Sequence, residues 1–202
     1  MSTKRVYIGS QPKLDAILND QDDKKGVVIC HPHPLYGGSM HNNVVNAMEK
    51  GFYERGFTTL RFNFRGVGRS EGIYDEGEGE IDDVVCAVNF LKDTLKDNAS
   101  IILAGYSFGA WVSIRAALKI EGIDSIFIVA YPFSVYDPSL LKQFKGKMWF
   151  VAGKYDEIAP VEPLINIYKE LPLIEKNLKI IESDHFFLGK EEEITQFIKE
   201  IF

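Results

Sequence analysis

Ser107 sits at the centre of Gly105-Tyr106-Ser107-Phe108-Gly109, and its flanks suggest its chemistry. The residues before it, Ile101 to Ala104, form a short apolar run that reads as a buried strand, and a helical pattern follows. A serine on such a sharp strand–turn–helix junction is held exposed as a nucleophile, and small residues must flank it so that strand and helix can approach. The helix N-terminus just beyond favours developing negative charge. A serine hydroxyl is a weak nucleophile near neutral pH. It needs a general base within hydrogen-bond reach, and the base needs a carboxylate to orient it. The chain has four histidines. His185, in Glu182-Ser183-Asp184-His185-Phe186-Phe187, follows the last strand-like run and is the expected base. Asp156, in Gly153-Lys154-Tyr155-Asp156-Glu157, follows the run before it and is the expected acid, with Glu157 as its neighbouring competitor.

An acyl-transfer site also needs two N–H donors for the oxyanion. The Phe108 N–H, next to the serine, is the first. The second is expected from His31-Pro32-His33-Pro34-Leu35-Tyr36-Gly37-Gly38, where the prolines have no N–H, leaving His33 and Leu35 with Tyr36 as outsider. His31 and His33 lack a third clustered ligand, so no metal is expected. Gly66-Val67-Gly68 lacks the remainder of a phosphate-binding pattern, so no nucleotide cofactor is expected either. Arg65 is expected to brace its own loop by pairing with a carboxylate or carbonyl. Tyr36, Tyr106, Tyr131, Phe133 and Phe186 are expected to border an aromatic substrate pocket.

These residues need a scaffold that gathers loops at one end. Apolar runs at Val27–Cys30, Ile101–Ala104, Ser125–Ala130 and Lys147–Ala152, and the mixed stretches Phe57–Phe64 and Leu178–Ile181, read as strands, with helical patterns between most of them. Ser39 is a plausible N-cap for the first helix. Such alternation predicts an α/β fold: a mostly parallel sheet with helices on both faces and ligands at the carboxyl ends of the strands. Arg5–Ser10 and Lys13–Leu18 read as an antiparallel hairpin at a sheet edge.

The length of 202 residues suits one domain spanning 1–202. A net charge of −6 argues against binding to nucleic acid or an anionic membrane. Cys30 and Cys86 show no metal-like spacing and read as free thiols, and no signal-like or membrane-length apolar run is present, so a cytoplasmic protein is expected.

With these residues in place, the chain resembles the α/β-hydrolase superfamily over most of its length. Gly105–Gly109 matches the elbow, and Ser107, Asp156, His185 is the family's triad order. Asn63-Phe64-Arg65-Gly66-Val67-Gly68-Arg69-Ser70 resembles its Arg-Gly-x-Gly-x-Ser loop. The His-Pro-His-Pro stretch is similar to that of a small, lidless bacterial branch of predicted hydrolases, comparable in size to dienelactone hydrolases. Those use a cysteine nucleophile, whereas this chain has Ser107. Lids in the superfamily are inserted where this chain offers only residues 131–146, so no cap domain is expected. The resemblance implies an esterase acting on small soluble acyl substrates, as a monomer or homodimer. Thioesterase, peptidase, acyltransferase or perhydrolase activity would use the same triad, and a non-catalytic binding protein on this fold is the rival of another class.

Overall fold

The structure, a computed structural model, describes residues 2–172 and 175–202. Eight strands, β1 (Ser2–Ile8), β2 (Leu14–Asp20), β3 (Lys25–Cys30), β4 (Thr58–Phe62), β5 (Ser100–Tyr106), β6 (Ile123–Val129), β7 (Lys147–Gly153) and β8 (Lys176–Ile181), form one sheet in the order 1-2-4-3-5-6-7-8. The β1–β2 and β2–β4 pairs are antiparallel and the remaining five are parallel, so the N-terminal hairpin lies at the edge as expected. The helices are α1 (Asn43–Glu54), α2 (Glu78–Thr94), α3 (Phe108–Ala117), α4 (Ser139–Gln143), α5 (Val161–Glu170) and α6 (Glu191–Ile201).

The continuous apolar runs arise because both sheet faces are covered. Successive strand residues point to opposite faces. Val28 and Cys30 of β3, with Ile101 and Leu103 of β5, pack under Ile81 and Val84 of α2 and Val112 of α3. Val27 and Ile29, with Ile102 and Ala104, pack under Val44, Val45 and Met48 of α1 and Ile194 and Ile198 of α6. This is the α/β-hydrolase fold. Among the described residues there is no cap domain: the β6–β7 connection carries only the five-residue α4.

One helix start departs from expectation. Asn42, not Ser39, caps α1, its Oδ1 accepting from Val44 N at 2.9 Å and Val45 N at 3.4 Å. Met40 is buried and donates its N–H to Asn63 Oδ1 at 2.8 Å, which pins the chain in a turn before the helix can begin. Arg65 braces its loop as expected, with Nη2 to Asp83 Oδ1 at 2.8 Å and its own N–H to Asp83 Oδ2 at 2.9 Å.

Candidate active site

The turn from β5 into α3 places Ser107 at φ 56°, ψ −118°. A non-glycine residue at positive φ is strained and persists only where the surroundings enforce it. Here its N–H donates to Val129 O of β6 at 2.9 Å, and its carbonyl accepts from Ala110 N at 2.9 Å. The two flanking glycines are steric requirements. A Cβ on Gly105 would lie 2.4 Å from Gly109 O, and one on Gly109 would lie 2.5 Å from both Cys30 O and His31 O. The same close approach brings the loop after β3 against the start of α3.

His185 and Asp156 come from the loops after β8 and β7. These loops are knitted together, with Lys154 N donating to Ile181 O at 2.8 Å and Tyr155 N to Ser183 O at 2.9 Å. Ser107, Asp156 and His185, remote in sequence, meet: His185 Nε2 lies 3.0 Å from Ser107 Oγ and His185 Nδ1 lies 2.7 Å from Asp156 Oδ2. The other carboxylate oxygen, Oδ1, accepts from Ile158 N at 2.9 Å and Ala159 N at 2.6 Å. All three residues are buried, Asp156 and His185 at 5% and 6% exposure, so their interactions are little weakened by water. Tyr106 adds a support, its hydroxyl donating to His185 O at 2.7 Å. Burial, and then the nearby Asp156 and Asp184 carboxylates, push the Tyr106 phenol well above its usual range, so it stays a neutral donor.

The loop after β3 sorts its expected donors. Leu35 N–H is turned to His33 Nδ1 at 3.2 Å and Tyr36 N–H to His33 O at 3.1 Å, so the short helical turn Pro34–Tyr36 consumes both. Leu35 is thereby removed as an oxyanion donor. The N–H groups of His33 and Phe108 have no acceptor among the described residues, and their rings lie 4.9 Å apart. His31 and His33 hold the loop rather than converging on a common point. His33 faces Tyr74 Oη at 3.2 Å, and His31 accepts from Phe64 N at Nε2 (3.0 Å) with Nδ1 2.6 Å from Pro32 O.

Since its Nε2 is an acceptor, His31 must be neutral, with its proton on Nδ1. Complete burial lowers its pKa to about 4. A histidine whose folded pKa lies below its unfolded value of about 6.5 stabilises the fold above that value. The contribution falls as pH drops towards the folded pKa, by about 3 kcal/mol at pH 4. The stability difference between wild type and His31→Asn, from urea unfolding, should therefore be largest at pH 7 and shrink by pH 4.5. A constant difference would contradict the assignment.

A cleft of about 670 Å³ opens over Ser107. Tyr36, Tyr106 and Phe186 line it as expected, together with Val135, Tyr136 and Ile158. Tyr131 and Phe133 do not. Ala130, at φ 49°, turns the chain at the end of β6, and Tyr131 enters the core at 1% exposure, its hydroxyl donating to Asp137 O at 2.8 Å. Phe133 packs beside it with ring centroids 4.9 Å apart. Tyr136 takes the place expected of them. It lies in an irregular segment with no periodicity to show which aromatic faces the cleft.

Sheet order, elbow and capless β6–β7 connection together define an α/β serine hydrolase. Residues 20–149 match the family described as X-Pro dipeptidyl-peptidase (S15 family), and the chain belongs to it. It is 32% identical over 181 residues to an uncharacterised protein of Rickettsia prowazekii, with 86% of this chain and 76% of that protein covered. An α/β serine hydrolase homologue from Coxiella burnetii superposes with a TM-score of 0.89 at 30% identity, covering 99% of this chain and 97% of that one. A lidless α/β serine hydrolase from Xanthomonas campestris gives 0.88 at 28% identity, covering 98% and 93%. No helix among the described residues is long and apolar enough to cross a membrane.

Proposed function

We propose that the protein is a carboxylesterase that cleaves small acyl esters through a Ser107 acyl-enzyme. The observation that carries this reading is the His185 imidazole set between Ser107 Oγ at 3.0 Å and Asp156 Oδ2 at 2.7 Å. Ser107 Oγ attacks the ester carbonyl as its proton passes to His185 Nε2. Asp156 accepts the Nδ1–H and stabilises the imidazolium. The tetrahedral oxyanion is held by the N–H groups of Phe108 and His33. His185 then protonates the departing alcohol, and water, activated by the same imidazole, hydrolyses the acyl-enzyme. The reading includes a cytoplasmic location and a small-molecule substrate, with neither cofactor nor metal.

The family description favours a second reading, cleavage of dipeptides from peptide N-termini. Such an enzyme must hold an ammonium group, and a buried ammonium calls for a paired carboxylate. No Asp or Glu lines the cleft among the described residues, which supports the ester reading. Two measurements test it. A fluorophosphonate should label the protein once, with the adduct on the peptide containing Ser107. 4-Nitrophenyl acetate should be hydrolysed far faster than Ala-Pro-4-nitroanilide. Absence of labelling would leave a non-catalytic binding protein on this fold. Faster release of nitroaniline would favour the peptidase, and ester formation with an added alcohol as the main product would favour an acyltransferase.

A further inference from the structure

The cleft has a wall that the proposed chemistry does not use. Tyr136 stacks on Trp111 with ring centroids 4.0 Å apart and planes 8° from parallel. Trp111 is itself fixed: the Arg115 guanidinium lies 4.7 Å from its ring, and Arg115 Nη2 pairs with Glu78 Oε1 at 2.6 Å. Gly77 packs so closely on Trp111 that a Cβ there would come within 2.2 Å of the indole. The Tyr136 backbone is tied by its N–H to Pro132 O at 3.0 Å. Tyr136 is therefore a rigid aromatic wall within the cleft that holds Ser107, and Phe108 continues it, 6.4 Å away centroid to centroid.

Four further residues lining the cleft are apolar or aromatic and unusually exposed: Tyr36 at 87%, Val135 at 67%, Phe186 at 53% and Ile158 at 44%. No Asp, Glu, Lys or Arg lines the cleft among the described residues. Exposed apolar side chains gathered at a concave site mark a binding surface rather than ordinary surface scatter. A flat, uncharged ring can lie against a fixed aromatic ring over its whole face and gains the aromatic-pair contribution, whereas a puckered ring of the same size touches it only through its axial C–H groups and gains less. A free carboxylate entering the cleft would lose water and meet no cation.

We propose that Tyr136, backed by Trp111, is the specificity platform for the acyl group, and that the preferred substrates are esters of uncharged, aromatic carboxylic acids. The inference rests on the ester reading for its chemistry, but the platform can be tested by binding alone.

The probes are methyl phenylacetate and methyl cyclohexylacetate, which share a carbon skeleton and differ in ring saturation, the cyclohexyl ring being puckered and the more hydrophobic of the two, with monomethyl succinate as the charged comparison. Binding is measured by NMR titration of Ser107→Ala protein, where no turnover intervenes. The phenyl ester should bind roughly fivefold to tenfold more tightly than the cyclohexyl ester, the span that an aromatic stack supplies. The succinate should bind at least about 100-fold more weakly than the phenyl ester, since its charge is left unpaired. Adding Tyr136→Leu should remove the phenyl preference and Tyr136→Phe should keep it. Equal or tighter binding of the cyclohexyl ester overturns the proposal, whether or not the leucine variant folds. So does a phenyl preference that survives Tyr136→Leu. Failure of fluorophosphonate labelling would remove the ester reading without touching this result.

Discussion

Ser107→Ala is expected to lower kcat for 4-nitrophenyl acetate by about 10⁴-fold or more, equivalent to about 5.5 kcal/mol of transition-state stabilisation. The substitution removes only Oγ. The Phe108 and His33 N–H groups remain, so a small residual rate over water should persist through oxyanion stabilisation. Because the three side chains act as a unit, adding His185→Ala should cost little more. The measurement is steady-state hydrolysis on protein whose fold is checked by circular dichroism. A variant retaining a tenth of wild-type activity would sink the assignment. Ser107→Gly should be equally inactive but more stable. At φ 56° the serine backbone carries about 1–3 kcal/mol of strain that glycine relieves. Against this stands about 0.4–1 kcal/mol of added unfolded-state entropy. The net gain of about 1 kcal/mol corresponds to a Tm rise of roughly 2–4 °C for a chain of this length.

What the sequence reveals of this site follows from how each part is encoded. The elbow is legible because close backbone approach admits only glycine at positions 105 and 109, and a chain constraint of that kind is written in residue type. Asp156 is legible because it follows β7, whose burial on both faces leaves an uninterrupted apolar run, and His185 because it follows β8, a half-exposed edge strand that still shows Leu178, Ile180 and Ile181. The cleft wall is less legible. Tyr131, Phe133 and Tyr136 are all aromatic residues on one short segment, and only the positive φ of Ala130 sends Tyr131 inward. The oxyanion loop behaves likewise. His33 and Leu35 are equivalent donors in sequence until a turn directs the Leu35 N–H onto the His33 ring. Long-range packing thus appears in the pattern, while local side-chain and N–H directions wait on dihedral angles.

That distinction matters most at Asp156, where hydrogen-bond directions fix the outcome of a conservative change. Asp156→Asn should lower kcat by about 10⁴-fold while leaving the fold intact. In the wild type, Oδ1 accepts from the Ile158 and Ala159 N–H groups, and Oδ2 faces His185 Nδ1 at 2.7 Å. An asparagine must keep its oxygen towards the two backbone donors, because an NH₂ group there would oppose two N–H groups. Its NH₂ then faces His185 Nδ1 and donates to it. The imidazole responds by carrying its proton on Nε2, the atom that faces Ser107 Oγ at 3.0 Å. A nitrogen already protonated cannot accept the serine proton, so the base is lost with every heavy atom near its original position. Raising the pH should restore part of the rate, since hydroxide can replace the missing base. Fluorophosphonate labelling should slow in parallel with kcat. Rapid labelling of Asp156→Asn at neutral pH would show that Ser107 is activated by some route other than His185 and Asp156.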